Sequence, residues 1–252
     1  MILLVDEYDK PILDHIANLE IAEKNRLMLK NLFDVIKGLG SCFRAIFITG
    51  VSKFSKVSIF SGLNNLNDIS EDPSSATLLG YTEQELEKYF TPYIDRVAKK
   101  FKVDRANILQ DMKDWYNGYR FSDQNMSVYT PISVLYFLAK QELRNYWFTS
   151  GTPSFLVELL RKRYQNVGDI VGKTLNIDDL GPFEINNIPF IPVLYQTGYL
   201  TIRDAFRIDK KLMFTLDYPN AEVKESLTKY LYSGIYVSHD GYFLGLRGLN
   251  AP

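Results

Sequence analysis

Ile2-Leu3-Leu4-Val5-Asp6-Glu7-Tyr8-Asp9-Lys10-Pro11 runs from four apolar residues straight into charge and a proline. A short run apolar on both faces predicts a strand buried between two helical layers, as in a parallel α/β sheet. Leu27, Leu32, Phe33 and Ile36 then recur with helical spacing over residues 20–37, and Gly38 and Gly40 close that segment. A second apolar run, Ala45-Ile46-Phe47-Ile48, ends in Thr49-Gly50-Val51-Ser52-Lys53. Strand, helix and strand at this spacing predict a βαβ unit with a right-handed crossover.

Outward from this unit, residues 51–80 are rich in Ser, Asn, Gly and Asp and read as loop with short elements. Thr82-Glu83-Gln84-Glu85 is a capping box, in which Thr82 caps the third helical amide and Glu85 reaches back. A helix should follow it, and a second should run through Ile108, Leu109 and Met112 to Trp115. Thr130-Pro131 and Thr152-Pro153 each place a capping hydroxyl before a proline at the first helical position. From residue 181 the texture changes. Ile191-Pro192-Val193-Leu194-Tyr195 leads to Gly198-Tyr199-Leu200-Thr201-Ile202, Lys211 to Leu216 is strand-like, and Pro219-Asn220 opens an amphipathic helix over 221–232. Helix, hairpin and helix in that order resemble a small winged-helix module. The expected organisation is 1–81, the carboxyl-terminal part of an α/β core; 82–180, a helical region; 181–233, the winged-helix-like module; and 234–252, a Gly-rich aromatic tail of no assigned structure.

Composition narrows the function classes. Apolar residues make up 46% and charged residues 23% of 252, as in a chain that buries a core. A net charge of −1 gives no global basic field to draw the chain onto nucleic acid. Arg161-Lys162-Arg163, the densest basic run, reads as a cationic helix C-terminus. Cys42 is the one cysteine, which excludes an internal disulfide and fits a reducing cytoplasm. His15 and His239 are the two histidines, too few for a His-based metal site or a triad. No run approaches the roughly 18 apolar residues of a membrane helix, and no signal peptide is expected before the first strand. A cytoplasmic protein is expected, without a membrane partner.

The chemistry concentrates at the two strand ends. Four apolar residues followed by Asp6-Glu7 form the Walker B pattern. Asp6 would stand at the carboxyl edge of the sheet, where ligands bind in open α/β folds. A carboxylate there can hold Mg²⁺ through its water shell, and Glu7 could orient the water that attacks a γ-phosphate. The plainer alternative is a strand end that caps the next helix. Thr49 or Ser52, at the end of the neighbouring strand, is placed to sense that phosphate; the alternative there is a Gly turn with a hydroxyl satisfying local backbone. The aromatic set Trp115, Tyr116, Tyr119 and Phe121 could stack bases, but aromatics around an Asn-Gly turn read better as core.

Several segments, in order, resemble the AAA-ATPase-like family of P-loop ATPases. They are Leu4 to Pro11, Phe47 to Ser55, Val57 to Leu66, Gly80-Tyr81-Thr82, Trp115 to Phe121, Tyr146-Trp147-Phe148 with Gly151 to Ser154, Thr197 to Thr201, and Tyr218-Pro219-Asn220 with Glu222-Val223. The resemblance implies a P-loop NTPase core, a helical lid and a winged-helix-like end, often continued in relatives by a PD-(D/E)XK nuclease-like domain. It implies Mg²⁺ with ATP as cofactor and substrate, Asp6 on the metal, Glu7 as the water-polarising base, Thr49 or Ser52 as sensor, and Arg120 as a candidate arginine facing the nucleotide. The 252 residues hold no GxxxxGK(S/T) loop before the first strand and no nuclease-like extension at the other end, so against the family the chain is expected to be truncated at both ends, to leave an apolar sheet edge unpaired, to depend on a partner or a missing amino-terminal half, and to be inactive alone. A non-enzymatic protein- or DNA-binding module is the alternative.

Three imitations are set aside. Gly168 to Thr174 ends as a phosphate loop does, but three residues separate its glycines and Val167 stands at the required glycine. Gly50 through Ser58 has Ser55 where glycine is needed. Asp217 with Glu222-Val223-Lys224 mimics a nuclease carboxylate set, yet its glutamate and lysine should lie on a helix start, as capping and a surface pair.

Overall fold

β1 (Ile2–Val5) and β2 (Ala45–Ile48) pair in parallel, with Ile2 opposite Ala45 and Val5 opposite Ile48. The computed structural model describes residues 1–54, 59–60, 63, 66–147 and 170–231. Between the strands run a one-turn helix, α1 (Lys10–Leu13), and the long α2 (Leu19–Gly38). Asn18 starts α2 by accepting from the Ile21 amide, the usual work of an N-cap side chain. α2 turns Ala22, Phe33 and Ile36 inward. Phe33, Tyr8 and Phe60 pack ring on ring, with centroids 4.9–6.4 Å apart. The predicted strand–helix–strand unit is therefore present.

The expectation of strands enclosed on both faces is not met. Burial alternates along both strands: Leu3, Val5, Ile46 and Ile48 are half-buried, while Ile2, Leu4 and Phe47 are exposed, Leu4 at 72%. Period-two alternation puts the three exposed residues on one face, which is open among the described residues. At 100° per residue, Ile21, Met28, Leu32 and Val35 also share one side of α2, and all four are exposed.

Of the described residues, 1–67 and 177–197 form one compact unit, and 68–147, 170–176 and 198–231 a second. In the first unit a 3-10 turn (Ile177–Leu180) precedes α6 (Phe190–Gln196), whose residues Phe190 to Leu194 are buried. The second unit holds α3 (Glu83–Phe101), α4 (Arg105–Tyr116) and α5 (Pro131–Lys140). It also holds β3 (Thr174–Asn176), β4 (Thr201–Ile208), β5 (Lys211–Asp217) and α7 (Ala221–Leu231). The three strands form an antiparallel sheet in the order β3-β5-β4.

Local chemistry explains the helix starts. Thr82 accepts from the Glu85 amide and Glu85 accepts from the Thr82 amide at 2.9 Å, so the capping box is complete. Asn220 accepts from the Val223 amide and starts α7. Thr130 departs from expectation: it occupies the N-cap of α5, but its hydroxyl makes no cap bond and is buried beside the Tyr119 phenol. Pro131 already supplies a helical φ and has no amide to satisfy, so the start does not need the hydroxyl. α3, α4 and α5 close over Leu86, Ile94, Val97, Met112, Tyr116, Val134 and Phe137. Thr152-Pro153, Arg161-Lys162-Arg163 and the tail at 234–252 lie outside the described residues.

Candidate functional site

In the first unit, β1 and β2 run parallel, so their carboxyl ends are neighbours. Asp6 follows β1 and Thr49 follows β2. The Thr49 hydroxyl donates to Asp6 Oδ1, and the Glu7 amide donates to the same oxygen at 3.0 Å. Asp6 Oδ2 is left open among the described residues. Asp6 and Glu7 are both exposed, and the Glu7 carboxylate has no partner among the described residues. Glu7 has φ +49°, in the left-handed region that non-glycine residues seldom occupy. Such a conformation costs on the order of 1–3 kcal/mol and recurs at ligand sites.

Behind this exposed pair lies a buried one. Asp9 is fully buried. Its Oδ1 accepts from the Val51 amide at 3.1 Å, and its Oδ2 from the Ser52 amide at 2.6 Å and the Ser52 hydroxyl at 2.7 Å. Ser52, a sensor candidate by sequence, is thus buried with its hydroxyl on Asp9, whereas Thr49 reaches Asp6. Tyr8 adds three bonds: its amide donates to the Thr49 carbonyl at 3.0 Å, its hydroxyl donates to the Ser52 carbonyl at 2.9 Å, and that hydroxyl accepts from the Phe54 amide at 3.3 Å. Gly50 permits this closeness, because a Cβ there would lie 2.4 Å from Tyr8 Cε1 and 2.8 Å from Asp9 Oδ1.

Sequence reasoning passed over Asp9. It stands at the N-cap of α1, with proline in the first turn, where an aspartate usually caps its own helix; its side chain makes no cap bond and crosses to the loop after β2.

The site can be tested for fit with a divalent cation. No group of three or more His, Cys, Asp or Glu side chains able to hold a metal occurs among the described residues. One open carboxylate oxygen at a strand end suits Mg²⁺, which keeps several waters and takes one or two carboxylates plus phosphate oxygens. Asp6 would hold the ion through water.

Arg120 lies in the second unit and is buried. Its guanidinium donates to the carbonyls of Ser122 (3.1 Å), Asp123 (2.5 Å) and Arg203 (3.2 Å), tying the 120–123 turn to β4. Around it, segments far apart in sequence meet. Gly118 packs against the Pro219 carbonyl, Asn220 Nδ2 donates to the Asn117 carbonyl at 2.9 Å, and the Thr201 hydroxyl accepts from the Arg120 amide at 2.8 Å. Tyr116 is fully buried in the helical core with Trp115 packed beside it, and Tyr119 stacks on Phe121. Burial pushes the Tyr119 phenol well above its ordinary range and that of Tyr129 up to about 12.

Glu222 corrects the expectation of a surface pair. It lies in the first turn of α7 but is fully buried. Its Oε1 accepts from the Tyr146 amide at 2.6 Å and the Trp147 amide at 2.9 Å, and the Ser133 hydroxyl donates to the carboxylate at 2.8 Å. The Gly-Lys-Thr imitation of a phosphate loop resolves as sheet: Gly172 donates to the Leu216 carbonyl, Leu216 donates to that of Lys173, and Thr174 opens β3.

Residues 1–60 match the family model of the AAA-ATPase-like proteins, described as predicted AAA-ATPase. That range contains Asp6, Glu7, Asp9, Thr49 and Ser52. The chain is also 42% identical over 231 residues to a protein of Azotobacter chroococcum mcd 1 named "Uncharacterized protein in vnfD 5'region". The match covers 92% of this chain and 42% of the relative, so the chain spans less than half of that protein's length. No solved structure matches the chain. No helix among the described residues is long and apolar enough to cross a membrane.

Proposed function

We propose that residues 1–60 supply the metal-side and γ-phosphate-side edge of an Mg²⁺–ATP site, within a P-loop ATPase longer than these 252 residues. The observation that carries this reading is the Thr49 hydroxyl on Asp6 at the carboxyl ends of two parallel strands. Beside it stands an exposed Glu7, without a carboxylate partner among the described residues and held at positive φ. In this reading bound Mg²⁺ would neutralise phosphate charge. Asp6 would hold the ion through water, Glu7 would orient the attacking water and accept its proton, and Thr49 would report on the phosphate through Asp6. Arg120 has an architectural role. In this reading the segment at 181–233, expected as a winged-helix-like module, responds to the nucleotide state.

The test uses a longer protein carrying this segment, such as the Azotobacter relative. Glu7→Gln at the matching position should lower ATP turnover by about 10²–10⁴-fold, the usual worth of a general base, while Mg²⁺-dependent binding of a fluorescent ATP analogue persists. Asp6→Ala should weaken that binding. Unchanged turnover in Glu7→Gln would refute the assignment. The 252-residue chain alone, which has no phosphate-cradling loop, should show no turnover that Glu7→Gln abolishes.

The apolar face of β1 and β2 that is open among the described residues supports a further polypeptide completing this core, since parallel sheets are covered on both faces. The isolated chain should therefore self-associate. A cooperative, concentration-independent thermal melt of a monomer, followed by sedimentation and circular dichroism, would count against this.

A further inference from the structure

The buried Asp9 carboxylate lies within the proposed nucleotide edge yet touches none of the groups assigned to phosphate or metal. We infer that Asp9 is a positioning residue that makes residues 49–54 move as one body, coupling Thr49 to the segment at 177–197. This inference takes its biological meaning from the ATPase reading, but its geometry stands independently of it.

Every residue of the 49–54 segment except Gly50 is tethered by a named bond. Thr49 donates from its amide to the Val5 carbonyl at 2.8 Å and from its hydroxyl to Asp6. Val51 and Ser52 are held by the two oxygens of Asp9. The Lys53 amide donates to Gln196 Oε1 at 2.7 Å, and the Lys53 carbonyl accepts from the Phe183 amide at 3.1 Å. Gln196 in turn donates to the carbonyls of Leu180 (2.8 Å) and Gly181 (3.1 Å), and the Phe54 and Phe183 rings meet edge to face at 5.4 Å. Removing Asp9 from this series would leave two amides and a hydroxyl of the middle residues without their buried acceptor, separating the Thr49 end from the Lys53 end. A rigid hydrogen-bonded element that two sites both bias is the physical requirement for coupling between them.

The experiment is a double-mutant cycle read by amide hydrogen exchange at Lys53 and Phe183, in the absence of nucleotide. Thr49→Val removes the hydroxyl contact to Asp6, more than three residues from either reporter. It should reduce protection at both amides by about tenfold with Asp9 present, and by less than about twofold in an Asp9→Asn background, because coupled sites are non-additive. A merely structural Asp9 would give the same Thr49→Val factor in both backgrounds, and that result would overturn the inference; so would unchanged protection at Phe183 in Thr49→Val. Should Asp9→Asn fail to fold, Ser52→Ala serves in the same cycle, since it removes one of the three bonds and leaves the carboxylate in place. In a longer protein carrying this segment, addition of Mg²⁺ with a non-hydrolysable ATP analogue separates the two readings. Coupling without nucleotide binding upholds Asp9 and sinks the ATPase assignment, whereas binding without coupling does the reverse.

Discussion

Replacing Gly118 by alanine should destabilise the protein by on the order of 3 kcal/mol or more, through strain and overpacking together. Gly118 has φ +111°, a conformation that a side chain disfavours, and an added Cβ would lie 1.9 Å from the Pro219 carbonyl oxygen and 2.8 Å from its carbon. Neither side can retreat cheaply. The Gly118 amide donates to Asn117 Oδ1 at 2.6 Å, and the Asn117 carbonyl accepts from Asn220 Nδ2, while Asn220 Oδ1 caps α7 through the Val223 amide. Relief of the clash must therefore break the junction between the 117–118 turn and the start of α7. For a chain of this size such a loss lowers the melting temperature by roughly 6–12 °C, scaling from 2–4 °C per kcal/mol. Urea unfolding and exchange of the Val223 amide would measure it. A Gly118→Ala variant that melts within a degree or two of the parent would show that the junction yields, and that the glycine is not required there.

The fold was legible where local chemistry alone decides it. The runs Ile2–Val5 and Ala45–Ile48 announced parallel strands because each is apolar throughout and ends abruptly. Thr82 and Glu85 announced α3 because both halves of a capping box lie within four residues. Asp6, Glu7 and Thr49 were legible as site candidates because strand ends in α/β sheets gather ligands. The unseen features depend on distant partners. Asp9 looks like one more charge in a solvated turn until the loop after β2 folds over it. Glu222 beside Lys224 looks like a helix-start surface pair until the chain near Tyr146 brings its amides to it. β3 is three residues long and carries no period of its own; it exists because β5 offers an edge. The residues at a strand end are thus readable from one segment, whereas the buried contacts behind them are written in pairs of segments.

Glu222, in the second unit, allows a buried contact of this kind to be measured. Glu222→Ala should cost about 4 kcal/mol, because it orphans two buried amides and a hydroxyl, each worth about 1–3 kcal/mol when left unpaired. Glu222→Gln keeps an oxygen for the Tyr146 and Trp147 amides and turns its NH₂ toward Ser133, so it should cost about 1 kcal/mol or less. The pH dependence provides a second check. Burial holds the Glu222 carboxyl above its ordinary value of 4.5, outweighing the amides of Trp147 and Tyr146 and the Ser133 hydroxyl, which pull it down. The native state then binds the proton more tightly than the unfolded chain does. Stability from this group is complete below pH 4.5 and is lost as pH rises from there through the raised native value. The Glu222→Gln variant carries no proton to lose there, so its urea midpoint should lack that decline, and the gap between this variant and the parent protein should narrow as pH rises. Equal costs for the alanine and glutamine variants would mean that the amides at 146 and 147 find water when the carboxylate leaves. The clamp joining α5, α7 and the 145–147 segment would then be a packing contact and not an electrostatic one.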